Sequence, residues 1–109
     1  MDMKTLKFRA HLVPLVLSGE KTVTWRLFDD KDLQEGDVVN LINWETKQVF
    51  ARAIVLQVRT KKLGDLTEVD YVGHEKFANI DDMLAHYREY YGDRVNGETG
   101  VKIINFKLL

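Results

Sequence analysis

The chain has 109 residues, a length that fits one domain of ordinary size. Sixteen Lys and Arg stand against seventeen Asp and Glu, for a formal charge of −1. That balance argues against strong non-specific binding to duplex DNA or anionic membranes and still permits a local basic pocket. With no cysteine, disulfides and thiolate metal sites are excluded, and no apolar run reaches the length of a membrane span. The charged opening MDMKTLKFRA lacks the apolar run of a signal peptide, so a cytoplasmic protein is expected.

In chain order, Met3 to Phe8 alternates and predicts an opening strand, with Lys4, Leu6 and Phe8 on one face. Ala10 to Leu17 is apolar at near-helical spacing. Pro14, the only proline, fits the first turn of that helix, and Gly19 fits a left-handed cap at its end. Thr22 to Leu27 is β-branched and aromatic and reads as a strand. Gly36-Asp37 turns the chain into Val38 to Trp44, which pairs as a hairpin with Gln48 to Arg59. Thr60 to Leu66 reads as a loop with Leu63 and Leu66 inward, and Val69 to Ala78 as irregular. Asn79 caps a helix from Ile80 whose apolar stripe is Ile80, Met83, Leu84, Tyr87 and Tyr91, and Gly92 ends it. Tyr90 and Arg88 point outward from that helix. Val101 to Leu108 closes the series as a strand. Five strands and two main helices in mixed order predict an α+β fold, a small closed or nearly closed β-barrel with helices at its ends.

The chemistry concentrates in GEKTVTWR, residues 19–26. In a regular strand Thr22, Thr24 and Arg26 share one face, with Val23 and Trp25 on the other. Lys21 joins the polar face only if the chain bends at the helix–strand junction, which Gly19 permits. A Lys, a Thr hydroxyl and an Arg would then converge on one patch. The plain alternative is an exposed strand face with Lys21 and Arg26 in solvent.

The runs LVLSGEKTVTWR and LQEGDVVNL, the later KLGDL and a late helix before a final strand resemble the ASCH family, a PUA-like group of RNA-associated β-barrels. The resemblance spans Leu6 to Phe106 and implies one ASCH domain over residues 1–109 with a PUA-like barrel. Its signature G-x-K-x-x-[E/T]-x-R is matched by Gly19, Lys21, Thr24 and Arg26. The commonest form has Glu where Thr24 stands. The Thr form is similar to a bacterial branch that hydrolyses the acetyl amide of 4-acetylcytidine, with a Lys, a Thr and a downstream Glu as the catalytic set. The resemblance therefore implies catalytic roles for Lys21, Thr24 and Glu75, with Glu68 as the alternative because the spacing around GHEKF differs. It implies substrate contacts from Gly19, Arg26, His74 and Trp44, and neither cofactor nor metal.

Such chemistry asks for a nucleophile, a proton shuttle and stabilisation of the oxyanion. Thr24 attacks if a neutral Lys21 takes its proton, which requires the lysine to fall about 2–3 units from its usual ~10.4. Burial beside Arg26 lowers it, and an ionised Glu75 raises it. Trp25 is read as core or as a stacking surface, and Trp44 equally as either. His74 lines the site or lies at the surface. His11, His74 and His86 lack metal-ligand spacing. Asp29-Asp30 and Lys61-Lys62 read as solvated turn charges. Three functions stay open: an amidohydrolase of an acylated cytidine, a non-catalytic RNA-binding module, and an RNA-cleaving ribonuclease. The expected partner is a modified nucleoside or RNA, with no membrane, and the expected state is a monomer.

Overall fold

In the computed structural model, which describes residues 4–29 and 31–109, strands β1 (Lys4–Phe8), β2 (Val23–Leu27), β3 (Val38–Asn43), β4 (Val49–Lys62) and β5 (Gly100–Leu108) accompany helices α1 (Val13–Ser18) and α2 (Ile80–Tyr91). Met3 and Asp30, both placed in elements or turns above, lie outside the described residues. The strands form one mixed sheet in the order β1-β3-β4-β5-β2, curled into a half-barrel of the predicted α+β class. β1 runs parallel to β3, and every other neighbouring pair is antiparallel.

This order leaves β1 and β2 as the two edges. Long cations cross the seam between them and satisfy edge carbonyls that no strand reaches. Arg26 Nη2 donates to Lys7 O at 2.8 Å, and Lys31 Nζ donates to Thr5 O at 2.7 Å.

Strand alternation divides the interior into two cores. On β5, Ile104 and Phe106 join Leu6, Phe8, Val39, Leu41 and α1's Val16. Its Val101 and Ile103 instead meet Val23, Trp25 and Leu27 of β2 and Met83 and Tyr87 of α2. The odd-numbered residues of β2 are thus committed to the α2 side, and Thr24 and Arg26 project from the other face.

The helix ends follow the sequence. A 3-10 turn over Ala10–Leu12 leads into α1, which carries Pro14 in its first turn and ends on Gly19 at φ 83°. Asn79 Oδ1 accepts from the Asp82 N–H at 2.8 Å to open α2, and Gly92 closes it. Ile80 departs from its predicted stripe at 46% exposure, because the first turn of α2 overhangs the core.

Two readings need correction. Thr60 to Lys62 is strand, because β5 is long enough to pair with β4 as far as Lys62 opposite Gly100. Leu63, read as inward, is buried in the 3-10 turn that follows. Asp29 and Lys61 are not free solvated charges either. The Asp29 side chain is 7% exposed and accepts from Lys102 at 3.0 Å, while Lys61 bonds the buried Asp70 at 2.8 Å. Lys62 is exposed, with Glu98 as its partner.

Candidate active site

The bend on which Lys21 depended is present. Gly19 turns the chain out of α1, and the Lys21 N–H donates back to Leu15 O at 3.0 Å. The lysine is thereby folded against the half-barrel and is only 4% exposed. Thr22 stays exposed just before β2 and lies outside the cavity, so only Thr24 and Arg26 of the predicted polar face enter it.

A backbone fork brings the third partner in. The N–H groups of Thr22 and Val23 both donate to Gly73 O, at 3.0 and 3.2 Å, and tie residues 73–75 beside the start of β2. Glu75 then meets Lys21, with Nζ to Oε2 at 2.5 Å, while Glu68 is exposed on a 3-10 turn and does not line the cavity. Gly73 has φ 80°, and a Cβ there would collide with Thr22 Oγ1. Gly73→Ala is expected to cost about 1–3 kcal/mol, from the left-handed backbone plus the displaced fork. Thermal unfolding would register it, and an unchanged midpoint would contradict this role for the fork.

Lys21, Thr24, Glu75, Arg26, His74 and Trp44 all line one cavity of about 370 Å³, a size suited to a small organic ligand. Gly19 does not line it, and its part is the bend. Lys21 Nζ also donates to Val23 O at 2.9 Å, and neither of its bonds goes to Thr24. Thr24 Oγ1 instead accepts from Arg26 Nε at 3.1 Å, which leaves its own O–H hydrogen available. Arg26, besides crossing the seam, lies 5.0 Å over the Phe8 ring.

Burial lowers the Lys21 ammonium below its usual range and nearby Arg26 adds to this, with Glu75 opposing both. Burial alone would raise the Glu75 carboxyl, but His74 and Lys21 outweigh it and hold it below its ordinary value. Glu75 is therefore a carboxylate at neutral pH, and its charge opposes loss of the Lys21 proton. Burial, then the charge on Lys21, brings His74 down to about 4, so its ring is neutral at pH 7.

Aromatic residues wall the cavity. Trp25, only 3% exposed, packs in the α2 core and stacks on His74 at 3.8 Å, so it serves as core and as a wall of the cavity. Trp44 stands at the rim, 41% exposed, with the cations of Lys47, Arg9 and Lys7 at 4.5, 5.0 and 5.2 Å from its ring. Sequence reading missed Lys7 and Arg9, which reach Trp44 because β1 runs parallel to β3 and Trp44 N–H bonds Phe8 O at 2.7 Å. It also missed the lining by His86 and Tyr90, although their i, i+4 spacing on α2 was a usable signal. Among the described residues no three His, Cys, Asp or Glu side chains converge to hold a metal ion, and no helix is long and apolar enough to cross a membrane.

No family model matches the chain, and no curated protein matches its sequence. Solved structures do match its fold. The chain is similar to protein EF3133 of Enterococcus faecalis V583, from the family DUF984, with TM-score 0.81 and 16% identity over 100% of this chain and 82% of the other. It is similar to an ASCH domain of Lactobacillus crispatus JV V101, with TM-score 0.72 and 16% identity over 98% and 79%. An ASCH protein of Zymomonas mobilis matches at TM-score 0.65 and 13% identity, over 94% of this chain and 65% of that one. The fold is that of ASCH domain proteins.

Proposed function

We propose that the protein handles a modified nucleoside and hydrolyses the acyl amide of an acylated cytidine such as 4-acetylcytidine. The observation that carries this reading is the convergence of Lys21, Thr24 and Glu75 on one cavity, with the lysine buried and paired to the glutamate. Lys21 acts as the base in its neutral form, which burial favours and the Glu75 carboxylate opposes. Thr24 Oγ attacks the acetyl carbonyl carbon, its proton goes to Lys21, and the carbonyl π electrons move to oxygen. Collapse breaks the C–N4 bond, and the exocyclic nitrogen takes the proton back as cytidine leaves. Water, giving a proton to Lys21, then attacks the acyl carbon; the C–Oγ bond breaks, the proton passes to Thr24 Oγ, and acetate leaves. Arg26, already bonded to Thr24 Oγ1, favours loss of the proton from that hydroxyl as it attacks.

The test is release of cytidine and acetate by purified protein supplied with 4-acetylcytidine, with Thr24→Ala as control. One observation favours the second reading, an RNA-binding module or ribonuclease: the exposed Trp44 ringed by Lys7, Arg9 and Lys47 at the cavity mouth. Aromatic stacking with nearby cations is how single strands are held. No cytidine release at high protein concentration, together with RNA binding that Trp44→Ala weakens at least tenfold, would replace the first reading with this one.

A further inference from the structure

The geometry points to His74 as the residue that selects a pyrimidine with a 4-amino or 4-acylamino group, by accepting its exocyclic N–H at Nε2. This rests on the reading of the cavity as a nucleoside site and adds how one base is told from another.

His74 Nδ1 lies 2.8 Å from Glu75 O. A carbonyl oxygen can only accept, so Nδ1 carries the hydrogen, and in a neutral imidazole Nε2 is then a bare lone pair. The ring is held in that orientation. It stacks on Trp25 at 3.8 Å with planes 14° apart, and Phe77 stands tilted to it at 6.4 Å. Turning the ring over would forfeit the bond to Glu75 O.

Among the described residues nothing donates to Nε2. Nor is it one of the sealed, unpaired side-chain atoms, which are Trp25 Nε1 and Asn105 Oδ1. Nε2 therefore keeps some open surface, and His74 lines the cavity. Lys21 and Arg26 only donate, and Thr24 Oγ1 and Glu75 Oε2 already accept from Arg26 and Lys21, whereas His74 Nε2 accepts from no described residue. Nε2 is therefore an acceptor held ready and unspent.

Cytosine and uracil differ at the matching position. The 4-amino group donates, and one N–H remains after acylation, whereas O4 of uracil only accepts. A uracil in the same pose would set lone pair against lone pair and leave both groups unsatisfied, the situation in which polar sites discriminate most sharply.

Calorimetric titration of cytidine and of uridine into the wild type, His74→Asn and His74→Gln tests this. Asparagine places an amide N–H near the Nδ1 position, so the link to Glu75 O is kept and the Nε2 acceptor is lost. Glutamine places its amide oxygen near the Nε2 position. The wild type is expected to bind cytidine at least about tenfold more tightly than uridine, corresponding to about 1.4 kcal/mol. The ratio should fall to about one in His74→Asn and be retained in His74→Gln. A cytidine preference of wild-type size in His74→Asn, or no preference in the wild type, would overturn the assignment of His74 alone. Failure of the wild type to bind either nucleoside would overturn the nucleoside reading and this assignment with it.

Discussion

Replacing Lys21 with methionine is expected to slow cytidine release from 4-acetylcytidine by about 10²–10⁴-fold, the usual contribution of one positioned acid–base group. The side chain is buried, so most of its stem packs against protein, and methionine fills that space without the charge. Glu75 is 36% exposed and can take water in place of the ammonium, so the fold should survive. A single-turnover rate measured beside a thermal midpoint separates the two effects. The pH dependence carries its own sign. Lys21 must be neutral to act as base, and burial lowers its pKa, so the wild-type rate should climb as pH rises towards that lowered value. The climb should be absent from the residual rate of Lys21→Met. Equal rates in the two proteins would contradict the mechanism.

Asp70→Asn is expected to destabilise the protein by about 2–4 kcal/mol although it lies outside the cavity. Its carboxylate is fully buried and accepts from Arg59 at 2.7 Å, Lys61 at 2.8 Å and the Thr67 N–H at 2.8 Å. It thereby pins the 3-10 turn Glu68–Tyr71, and the segment that carries Gly73 and Glu75, against β4. Arg59 and Lys61 are 32% and 33% exposed, which keeps the figure below that for a wholly buried network. Burial opposes ionisation here, but the hydrogen bonds from Lys61, Thr67 and Arg59 hold the carboxyl well below its usual range. The folded pKa is the lower one. The stabilisation is therefore complete above about pH 4, near the unfolded value, and fades as pH falls towards the folded one. Denaturant unfolding at pH 7 and pH 3 should show the wild type losing stability on acidification and Asp70→Asn losing less. Equal stability of the two at pH 7 would contradict this role.

What could be read from the residues alone was whatever depends on neighbours in the chain. Alternation in β2 placed Val23 and Trp25 together, Gly19 and Asn79 marked a helix end and a helix start, and the signature residues Lys21, Thr24 and Arg26 lie close in sequence. Contacts that span long stretches were less visible. Glu75 meets Lys21 only because Gly73 O captures two N–H groups, and the irregular stretch around it carries no period that reveals this. Lys7 and Arg9 reach Trp44 only through the parallel pairing of β1 with β3, which no local pattern encodes. Nothing local marks Asp70 either, yet four donor groups converge on it from Arg59, Lys61 and Thr67. Asp29 misled for the same reason, since its partner Lys102 is on the last strand.

On the proposed mechanism, the cavity around Lys21, Thr24 and Glu75 holds the acyl group for attack. A crystal structure of Glu75→Gln with 4-acetylcytidine tests it most directly, because this change keeps the size of the side chain and removes its basicity. The expected complex places the acetyl carbonyl carbon about 3–3.5 Å from Thr24 Oγ, the separation of a near-attack geometry. A nucleoside bound only against Trp44 at the rim, with its acetyl group turned away from Thr24, would contradict the claim.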